Sequence, residues 1–376
     1  MENTEENRRA YRELLVTTPG LGQFVSGFLV FEETLTHKAA DGTSLVDIAK
    51  KAGMIVGIKV DKGTVPIPGT DGETDTQGHT DLCVVVVACA RRRAPPICFN
   101  ARTHAATPFF SSNRSGARCA KYYQQGARFA KWRAVIKISS SGCPSDIAIK
   151  SNCDGLSRYA AICQMNGLVP IVEPEILMDG ACALAHSPRA NTSPPSHPPP
   201  PHPPPRAGDF SIEVSAAVTQ KVLSYQYRSL AEHNVILEGT LLKPNMVRPG
   251  EGSKAPFDPA AIARATVRVL QHTLPVAVPG VTFLSGGMGE EDASIALNEI
   301  NKFEGKKPWV LTFSYGRALQ QSVLHVWKGK AENTAAAQKE LSLRAQANSE
   351  AALGKYKGNA GGALAKASLH VAGYVY

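Results

Sequence analysis

The 376-residue sequence predicts an α/β protein whose parallel sheet approaches a closed (β/α)8 barrel. Seven short apolar, β-branched runs recur along the chain, and most of them are followed by a helical pattern. The runs are almost continuously apolar, as expected for strands that are covered on both faces. Only seven of the eight strands of a barrel are identifiable. An open doubly wound sheet is the alternative, although no GxGxxG follows the first run to support a dinucleotide site.

The predicted elements alternate regularly. The strands are VSGFLVFEET (25–34), MIVGIKV (54–60), FAKWRAVIKI (129–138), LVPIVEPEIL (168–177), VILEGTLLK (235–243), VTFL (281–284) and WVLTF (309–313). The chain starts on a charged amphipathic helix, MENTEENRRAYRELL, and the further helical stretches are 117–125, 145–164, 214–232, 259–272, 290–302, 318–327 and 331–349. A strand and a helix that alternate this often build a parallel sheet.

Composition excludes several classes of protein. No window has the run of about 18 apolar residues that a membrane helix needs, and the charged start is not a signal peptide. The eight cysteines form no CxxC pair, which favours free thiols, and no histidine pattern predicts a metal site. The net charge of +9 would suit nucleic acid or an anionic small molecule. We therefore predict a soluble intracellular protein with no metal, no cofactor and no membrane association.

Two segments interrupt the alternation. Residues 82–116 carry five arginines and no acid, and residues 181–209 contain SPPSHPPPPHPPPR. The second tract can be only polyproline-like or disordered, and both segments fall between a strand and its helix. We predict disordered insertions, with a PxxP ligand or retained non-coding sequence as alternatives. Together they supply +6 of the +9, which removes most of the indication of nucleic acid binding.

Charged residues lie near the carboxyl ends of the predicted strands, where barrel enzymes carry their chemistry. Lys131 and Arg133 share one face of their strand, as do Glu173 and Glu175, because alternate residues point the same way. Inside a barrel such charges require pairing of lysine with glutamate. A structural ion network is an alternative of equal weight to a catalytic one. The charged residues at the strand ends are Lys59, Lys131, Arg133, Glu173, Glu175 and Lys243.

Lys243 is the first candidate for catalysis. It follows Leu242 and precedes Pro244, so its amine ends a strand in apolar company. Apolar neighbours and nearby lysines disfavour protonation, which frees the amine to attack a carbonyl and form a Schiff base. Glu173 is the candidate acid/base for the proton transfers that imine chemistry requires.

The last two strands end in loops typical of anion sites. FLSGG ends at Gly287, and SYGR ends at Arg317. Small residues let backbone N–H groups approach an anion, and an arginine can grip phosphate with two parallel hydrogen bonds. Barrel enzymes often place phosphate in these two loops, so the two loops together indicate a phosphate-binding site.

A series of blocks resembles class I fructose-1,6-bisphosphate aldolase, in a plant or algal form. The blocks are ENTEENRRAYRELLVTTPG, GIKVDKG, QGARFAKWRAVIKI, NGLVPIVEPEIL, LEGTLLKPNMV, FLSGG and KPWVLTFSYGRALQ, in family order. The resemblance covers nearly all of the chain outside the two interrupting segments, as one domain over 1–376. It implies a (β/α)8 barrel, usually a homotetramer. It also implies reversible cleavage of fructose 1,6-bisphosphate into dihydroxyacetone phosphate and glyceraldehyde 3-phosphate, in glycolysis, gluconeogenesis or the Calvin cycle.

The resemblance also implies residue roles. Lys243 would be the Schiff-base lysine and Glu173 the proton-transfer group, with Lys131 assisting carbinolamine chemistry, Glu175 supporting the lysine and Tyr376 acting as the mobile C-terminal tyrosine. The residues implied to hold charge or phosphate are Lys59, Arg133, Ser285, Gly286, Gly287, Ser314, Gly316, Arg317 and Arg8.

The family pattern has one further part. It includes, after the ENTEEN helix and the strand that follows it, a barrel strand that carries a catalytic aspartate, with serine and arginine phosphate contacts near it. No block of this sequence supplies those residues, so we expect an incomplete barrel with two open sheet edges and weak activity. A catalytically impaired remnant or an interaction protein, from an incomplete gene model, is the alternative. Chloroplast stroma and cytoplasm both remain open as the location.

Overall fold

A computed structural model describes residues 2–79, 81–82, 118–138, 144–179, 208–358, 360 and 369. Two predicted insertions therefore lie almost wholly outside the described residues, apart from Leu82 and the end of the second segment, residues 208–209. Tyr376 lies outside them as well. Cys119, Cys153 and Cys163 are free and buried, in agreement with the predicted thiols.

A parallel seven-stranded sheet forms the centre of the molecule. Its strands, in spatial and in chain order, are β1 (Gly27–Val30), β2 (Ile55–Lys59), β5 (Phe129–Lys137), β6 (Val169–Leu177), β7 (Leu241–Leu242), β8 (Gly280–Phe283) and β9 (Val310–Phe313). A separate antiparallel hairpin pairs β3 (Thr64–Pro66) with β4 (Thr74–Thr76). Every pairing within the large sheet is parallel, as predicted. The sheet curls into a partial barrel.

Helices connect the strands. They are α1 (Glu5–Val16), α2 (Leu45–Lys51), α3 (Arg118–Gln124), α4 (Asp146–Met165), α5 (Ile212–Glu232), α6 (Pro259–Thr273), α7 (Glu290–Lys302), α8 (Arg317–Trp327) and α9 (Thr334–Ala352). Capping side chains set several starts: Ser145 accepts the Ala148 N–H at 3.1 Å before α4, and Asp258 accepts the Ala261 N–H at 2.9 Å before α6. Pro259 suits the first turn of α6, where its missing N–H would have no partner.

A continuous apolar core lies between the sheet and the helices around it. It is packed closely where β2 meets β5. A Cβ on Gly57 would lie 2.0 Å from the Phe129 ring, so only glycine lets that ring cross the neighbouring strand. In the part of the chain that the structure describes, no helix is long and apolar enough to span a membrane.

The structure corrects four details of the sequence prediction. The strand predicted at 25–34 is shorter, because Glu32–Leu35 forms a 3₁₀ turn. Within 235–243 only Leu241–Leu242 pairs as a strand, and a 3₁₀ turn precedes it. The hairpin of β3 and β4 and the short helix α2 were not predicted.

The two outer strands of the sheet are β1 and β9. Among the described residues, β1 pairs only with β2 and β9 only with β8. Residues of both strands, including Phe28 and Phe313, nevertheless line one cavity. The sheet is therefore curled far enough for its two edges to face a common interior, which agrees with the predicted barrel with seven identifiable strands.

Candidate active site

A cavity of about 640 Å³ runs through the interior of the curled sheet. Ile55, Phe129 and Val169 line it with apolar side chains at the amino ends of their strands. Its opposite end lies at the carboxyl ends of the strands and is polar. The predicted site residues that line it are Lys59, Lys131, Arg133, Glu173, Glu175, Lys243, Ser285, Gly286, Gly287, Ser314, Gly316 and Arg317.

Strand register brings the charged residues together. Arg133 of β5 lies opposite Glu173 of β6, and Lys131 lies two residues earlier on the same face. Lys243 follows β7 directly, and its backbone N–H donates to the Val172 carbonyl at 2.8 Å. That bond continues the ladder by one residue, so the Lys243 side chain enters the cavity beside Glu173.

Glu173 lies between two ammonium groups. Its Oε1 is 3.1 Å from Nζ of Lys243, and its Oε2 is 3.2 Å from Nζ of Lys131. The second contact is electrostatic and not an aligned hydrogen bond, because Oε2 has no hydrogen-bond partner among the described residues. All three side chains are at most a tenth exposed.

This arrangement fixes the charge of the carboxyl group. Burial alone would raise the pKa of Glu173, but Lys131 and then Lys243 and Arg133 favour the carboxylate and together lower it to about 2. Glu173 is therefore ionised at neutral pH, as a base or a counter-ion must be.

A second buried ion pair stands next to the first. The guanidinium of Arg133 donates to the Glu175 carboxylate across β5 and β6. Arg133 is 6% exposed, so this pair is shielded from solvent like the Glu173 cluster. Lysine-to-glutamate pairing was predicted from the sequence, and the arginine-to-glutamate pair extends it.

Loops after β8 and β9 form the other part of the site. Gly286 and Gly287 both adopt positive φ, which turns the chain sharply after Ser285. Arg248 holds the turn by donating to the Gly286 carbonyl at 2.6 Å. The N–H of Ser314 donates to the Phe283 carbonyl at 2.9 Å, so the two loops lie side by side. The consecutive loops that the sequence predicted as an anion site do adjoin.

Arg317 begins α8, directly after Gly316. The first backbone N–H groups of a helix carry partial positive charge, and the guanidinium adds a full one. Arg317 Nη1 donates to the Leu369 carbonyl at 2.5 Å, and the Leu369 N–H donates to the Gly287 carbonyl at 3.1 Å. A residue near the C-terminus thus bridges the two loops, which the sequence did not predict.

Asp61 is a second residue that the prediction missed. Its carboxylate lies 2.6 Å from Nζ of Lys59 and 3.5 Å from Nζ of Lys131. It stands two residues beyond the end of β2, in the block GIKVDKG. A charged residue at the start of a loop is common and does not by itself indicate a site. The position of Asp61 after a strand end is a weak signal, and its contact with Lys131 depends on the register of β2 on β5, which the sequence does not show.

Arg8 is not brought to the cavity. Both carboxylate oxygens of Glu33 accept hydrogen bonds from its guanidinium at 2.8 Å, and it is absent from the lining. This pairing joins α1 to the turn after β1. Among the residues that the structure describes, no group of three or more His, Cys, Asp or Glu side chains could hold a metal ion.

A family model described as "Glycolytic: Fructose-bisphosphate aldolase class-I" matches residues 1–91, 111–192 and 206–376. It passes over residues 92–110 and 193–205, which lie inside the two segments that interrupt the predicted strand and helix alternation.

Individual proteins agree with the family model. The chain is 52% identical to fructose-bisphosphate aldolase 4, cytosolic, of Arabidopsis thaliana, over all of this chain and 80% of that protein. It is 50% identical to the cytoplasmic isozyme of Spinacia oleracea, over 88% of that protein. A structure of the Plasmodium falciparum aldolase, in complex with TRAP and a small-molecule inhibitor, matches with a TM-score of 0.77 and 47% identity. The match covers 96% of this chain and 86% of that one.

Proposed function

Because the chain belongs to the class I fructose-bisphosphate aldolase family, we propose that the lysine-lined cavity is its catalytic site. The family function is that of a carbon–carbon lyase, fructose-bisphosphate aldolase, and it proceeds through a lysine Schiff base. The contact of the Glu173 carboxylate with both Lys131 and Lys243 is the observation that carries the assignment of this site.

Lys243 is the nucleophile in this proposal. Its neutral amine attacks the C2 ketone of fructose 1,6-bisphosphate, and the resulting carbinolamine loses water to give the iminium ion. The Lys243 ammonium forms this neutral amine by passing one proton to Glu173 Oε1, 3.1 Å from Nζ. After the attack, a second proton moves from the nitrogen to the ketone oxygen, which completes the carbinolamine. The protonated Glu173 then gives its proton to the departing hydroxyl, which leaves as water, so the step needs no outside proton. Dehydration leaves Glu173 ionised again.

Bond cleavage then requires a base. The proton of the C4 hydroxyl is removed, the C3–C4 bond breaks, and its electron pair moves into the iminium to give an enamine. Glu173 is the carboxylate in place to take that proton, and Lys131, 3.2 Å away, stabilises the ionised form. Protonation of the enamine at C3 and hydrolysis release dihydroxyacetone phosphate.

Supporting residues hold the charges in place. Glu175 neutralises Arg133, and Lys59 adds positive charge on the neighbouring strand. We assign one substrate phosphate to the two glycine-containing loops and the start of α8. The residues assigned to that phosphate are Ser285, Gly286, Gly287, Ser314, Gly316 and Arg317. Arg8, paired with Glu33, is not included.

Three wider properties follow the relatives and the family resemblance. We place the protein in the cytoplasm, because the plant relatives named above are cytosolic or cytoplasmic forms, and they lend no support to a chloroplast. A homotetramer is the expected assembly, and light scattering would give four times the monomer mass. Tyr376 is proposed as the C-terminal tyrosine that acts in proton exchange at the enamine, and its removal should slow that exchange.

The direct test is cleavage of fructose 1,6-bisphosphate, followed by coupling the triose products to a dehydrogenase. We expect turnover that a chelator leaves unchanged and that Lys243→Met abolishes. Glu299→Gln changes a partly exposed α7 side chain that pairs with Lys302 and does not line the cavity, so it serves as the control and should behave as wild type. Activity lost to the chelator would overturn the metal-free mechanism. Folded wild-type protein without turnover would favour the impaired remnant or interaction protein.

A further inference from the structure

Asp61 stands behind the cavity and not in its lining. Its side chain is 4% exposed, while Lys59 and Lys131, which it contacts, both line the cavity. Asp61 therefore cannot meet the substrate without a rearrangement. The Asp61 charge reaches the cavity through these two lysines, whose ammonium groups it contacts.

The register of β2 on β5 places two lysines side by side, and the Asp61 carboxylate contacts both of their ammonium groups. Lys59 of β2 and Lys131 of β5 are direct register partners, so two lysine side chains start side by side in a buried position. Like charges opposite each other on neighbouring strands are destabilising, and more so away from water. The Asp61 carboxylate contacts both ammonium groups, with Oδ1 at 2.6 Å from Lys59 and Oδ2 at 3.5 Å from Lys131.

Further bonds fix the position of this carboxylate. Its Oδ2 accepts the backbone N–H of Arg133 at 3.4 Å, which joins the end of β2 to β5. Lys59 Nζ also donates to the Asp61 carbonyl at 3.0 Å, so its side chain is folded back on this residue. The Lys59 amine is thus held near β2, away from the Glu173 carboxylate.

The contacts form one line of alternating charge through the sheet. It runs from Lys59 to Asp61, to Lys131, to Glu173 and to Lys243, with charged-atom separations of 2.6, 3.5, 3.2 and 3.1 Å. Lys131 has a carboxylate on each side. Both carboxylates favour its ammonium form and set its place between them.

We propose that Asp61 is a positioning residue, which separates Lys59 from Lys131 and holds the Lys131 ammonium against Glu173. The inference rests on the proposed roles of Lys131, Glu173 and Lys243. It adds a residue to the site that neither the sequence pattern nor the cavity lining reveals.

The surroundings of Asp61 define what a charge change would affect. Among the described residues, the charged groups in contact with its carboxylate are Lys59, at the end of β2, and Lys131 of β5. Arg118 of α3 donates to the Val60 carbonyl at 2.9 Å, and the Thr76 hydroxyl of β4 donates to the Arg133 carbonyl at 2.8 Å. Lys59 and Lys131 are thus the side chains that lose a contact with a carboxylate in Asp61→Asn.

The exchange Asp61→Asn keeps the size and shape of the side chain and removes its negative charge. We expect kcat to fall 10-fold to 100-fold with KM within about threefold, because substrate contacts remain while Lys131 loses one of two carboxylates. The alkaline limb of the pH dependence of kcat should move about one pH unit lower, since the ammonium form of Lys131 is less favoured. Asp61→Glu should restore part of the wild-type pH dependence.

Asp81→Asn is the matched control. Asp81 also joins two cations, Lys62 at 2.5 Å and Arg118 at 2.9 Å, but its side chain is 45% exposed and it does not line the cavity. Its exchange should leave kcat and the pH dependence unchanged. Thermal unfolding of both variants separates loss of folded protein from a change in chemistry.

Lysine labelling gives a second readout that needs no turnover. Reductive methylation with formaldehyde and cyanoborohydride, read by peptide mass across a pH series, reports the reactivity of Lys131. We expect it to rise at lower pH in Asp61→Asn than in wild type or Asp81→Asn. An unchanged labelling profile together with an unchanged pH dependence of kcat would overturn the inference. If Asp61→Asn shifts the labelling profile but the wild-type protein shows no turnover, the result counts against the proposed function alone.

Discussion

Removal of the Glu173 charge is the most informative perturbation of the site. Glu173→Gln keeps the size of the side chain and deletes the carboxylate that two ammonium groups share. At an effective dielectric constant of 20, each contact near 3.1 to 3.2 Å is worth about 5 kcal/mol before desolvation is counted. Breaking a buried pair on one side typically costs about 3 to 5 kcal/mol in net terms.

Loss of the acid/base group adds a kinetic effect. A positioned proton-transfer group contributes roughly 10²-fold to 10⁴-fold to rate, or about 3 to 5 kcal/mol of barrier. We therefore expect kcat of Glu173→Gln to fall by that factor with a much smaller change in KM. Steady-state cleavage of fructose 1,6-bisphosphate measures both constants, and thermal unfolding reports the stability loss.

The pH dependence of the free energy of unfolding gives a second test of Glu173. The pKa of Glu173 is about 2 in the folded chain against an ordinary value of 4.5. Its depressed pKa contributes about 3 kcal/mol of stability that is present above pH 4.5 and is lost as pH falls toward 2. Glu173→Gln should flatten that part of the pH dependence of unfolding. Near-wild-type kcat with an unchanged acid transition would refute the role given to Glu173.

Three further predictions concern packing and anion binding. Arg344→Met should cost about 3 to 5 kcal/mol in urea unfolding, because it leaves the Glu291 carboxylate buried without its guanidinium partner at 3.3 Å; a loss below 1 kcal/mol would contradict this. Arg317→Ala should raise KM for fructose 1,6-bisphosphate 10-fold or more with a smaller effect on affinity for unphosphorylated fructose, and equal effects on both sugars would argue against a phosphate contact. Gly57→Ala should lower the thermal midpoint by several degrees, because the added Cβ would lie 2.0 Å from the Phe129 ring, and an unchanged midpoint would show that the ring moves freely.

Much of the fold follows from local pattern. Long runs such as FAKWRAVIKI form β5 almost as predicted, because a strand that is buried on both faces is apolar at most of its positions. The hairpin of β3 and β4 leaves no such signal. Its strands have three residues each, Thr64–Pro66 and Thr74–Thr76, and the first is largely exposed. Short polar strands cannot be told from loops by their sequence.

The site residues also divide into those that the sequence could predict and those that it could not. The Glu173 pairing could be predicted, because alternation along β6 and the position of Lys243 after β7 place both side chains inside the barrel. Asp61 and Leu369 could not. Their partners, Lys131 and Arg317, lie on elements far away in the chain, and only the register of β2 on β5 and the position of Leu369 beside Arg317 bring them together.

Borohydride trapping tests the central claim most directly. The protein is incubated with dihydroxyacetone phosphate, reduced with borohydride, and digested, and the modified peptide is identified by mass. We predict one stable adduct on Lys243, absent in Lys243→Ala and retained in Lys131→Met at a lower rate of formation. An adduct on Lys131 or Lys59, or none in folded wild-type protein, would contradict the assignment of Lys243 as the Schiff-base lysine.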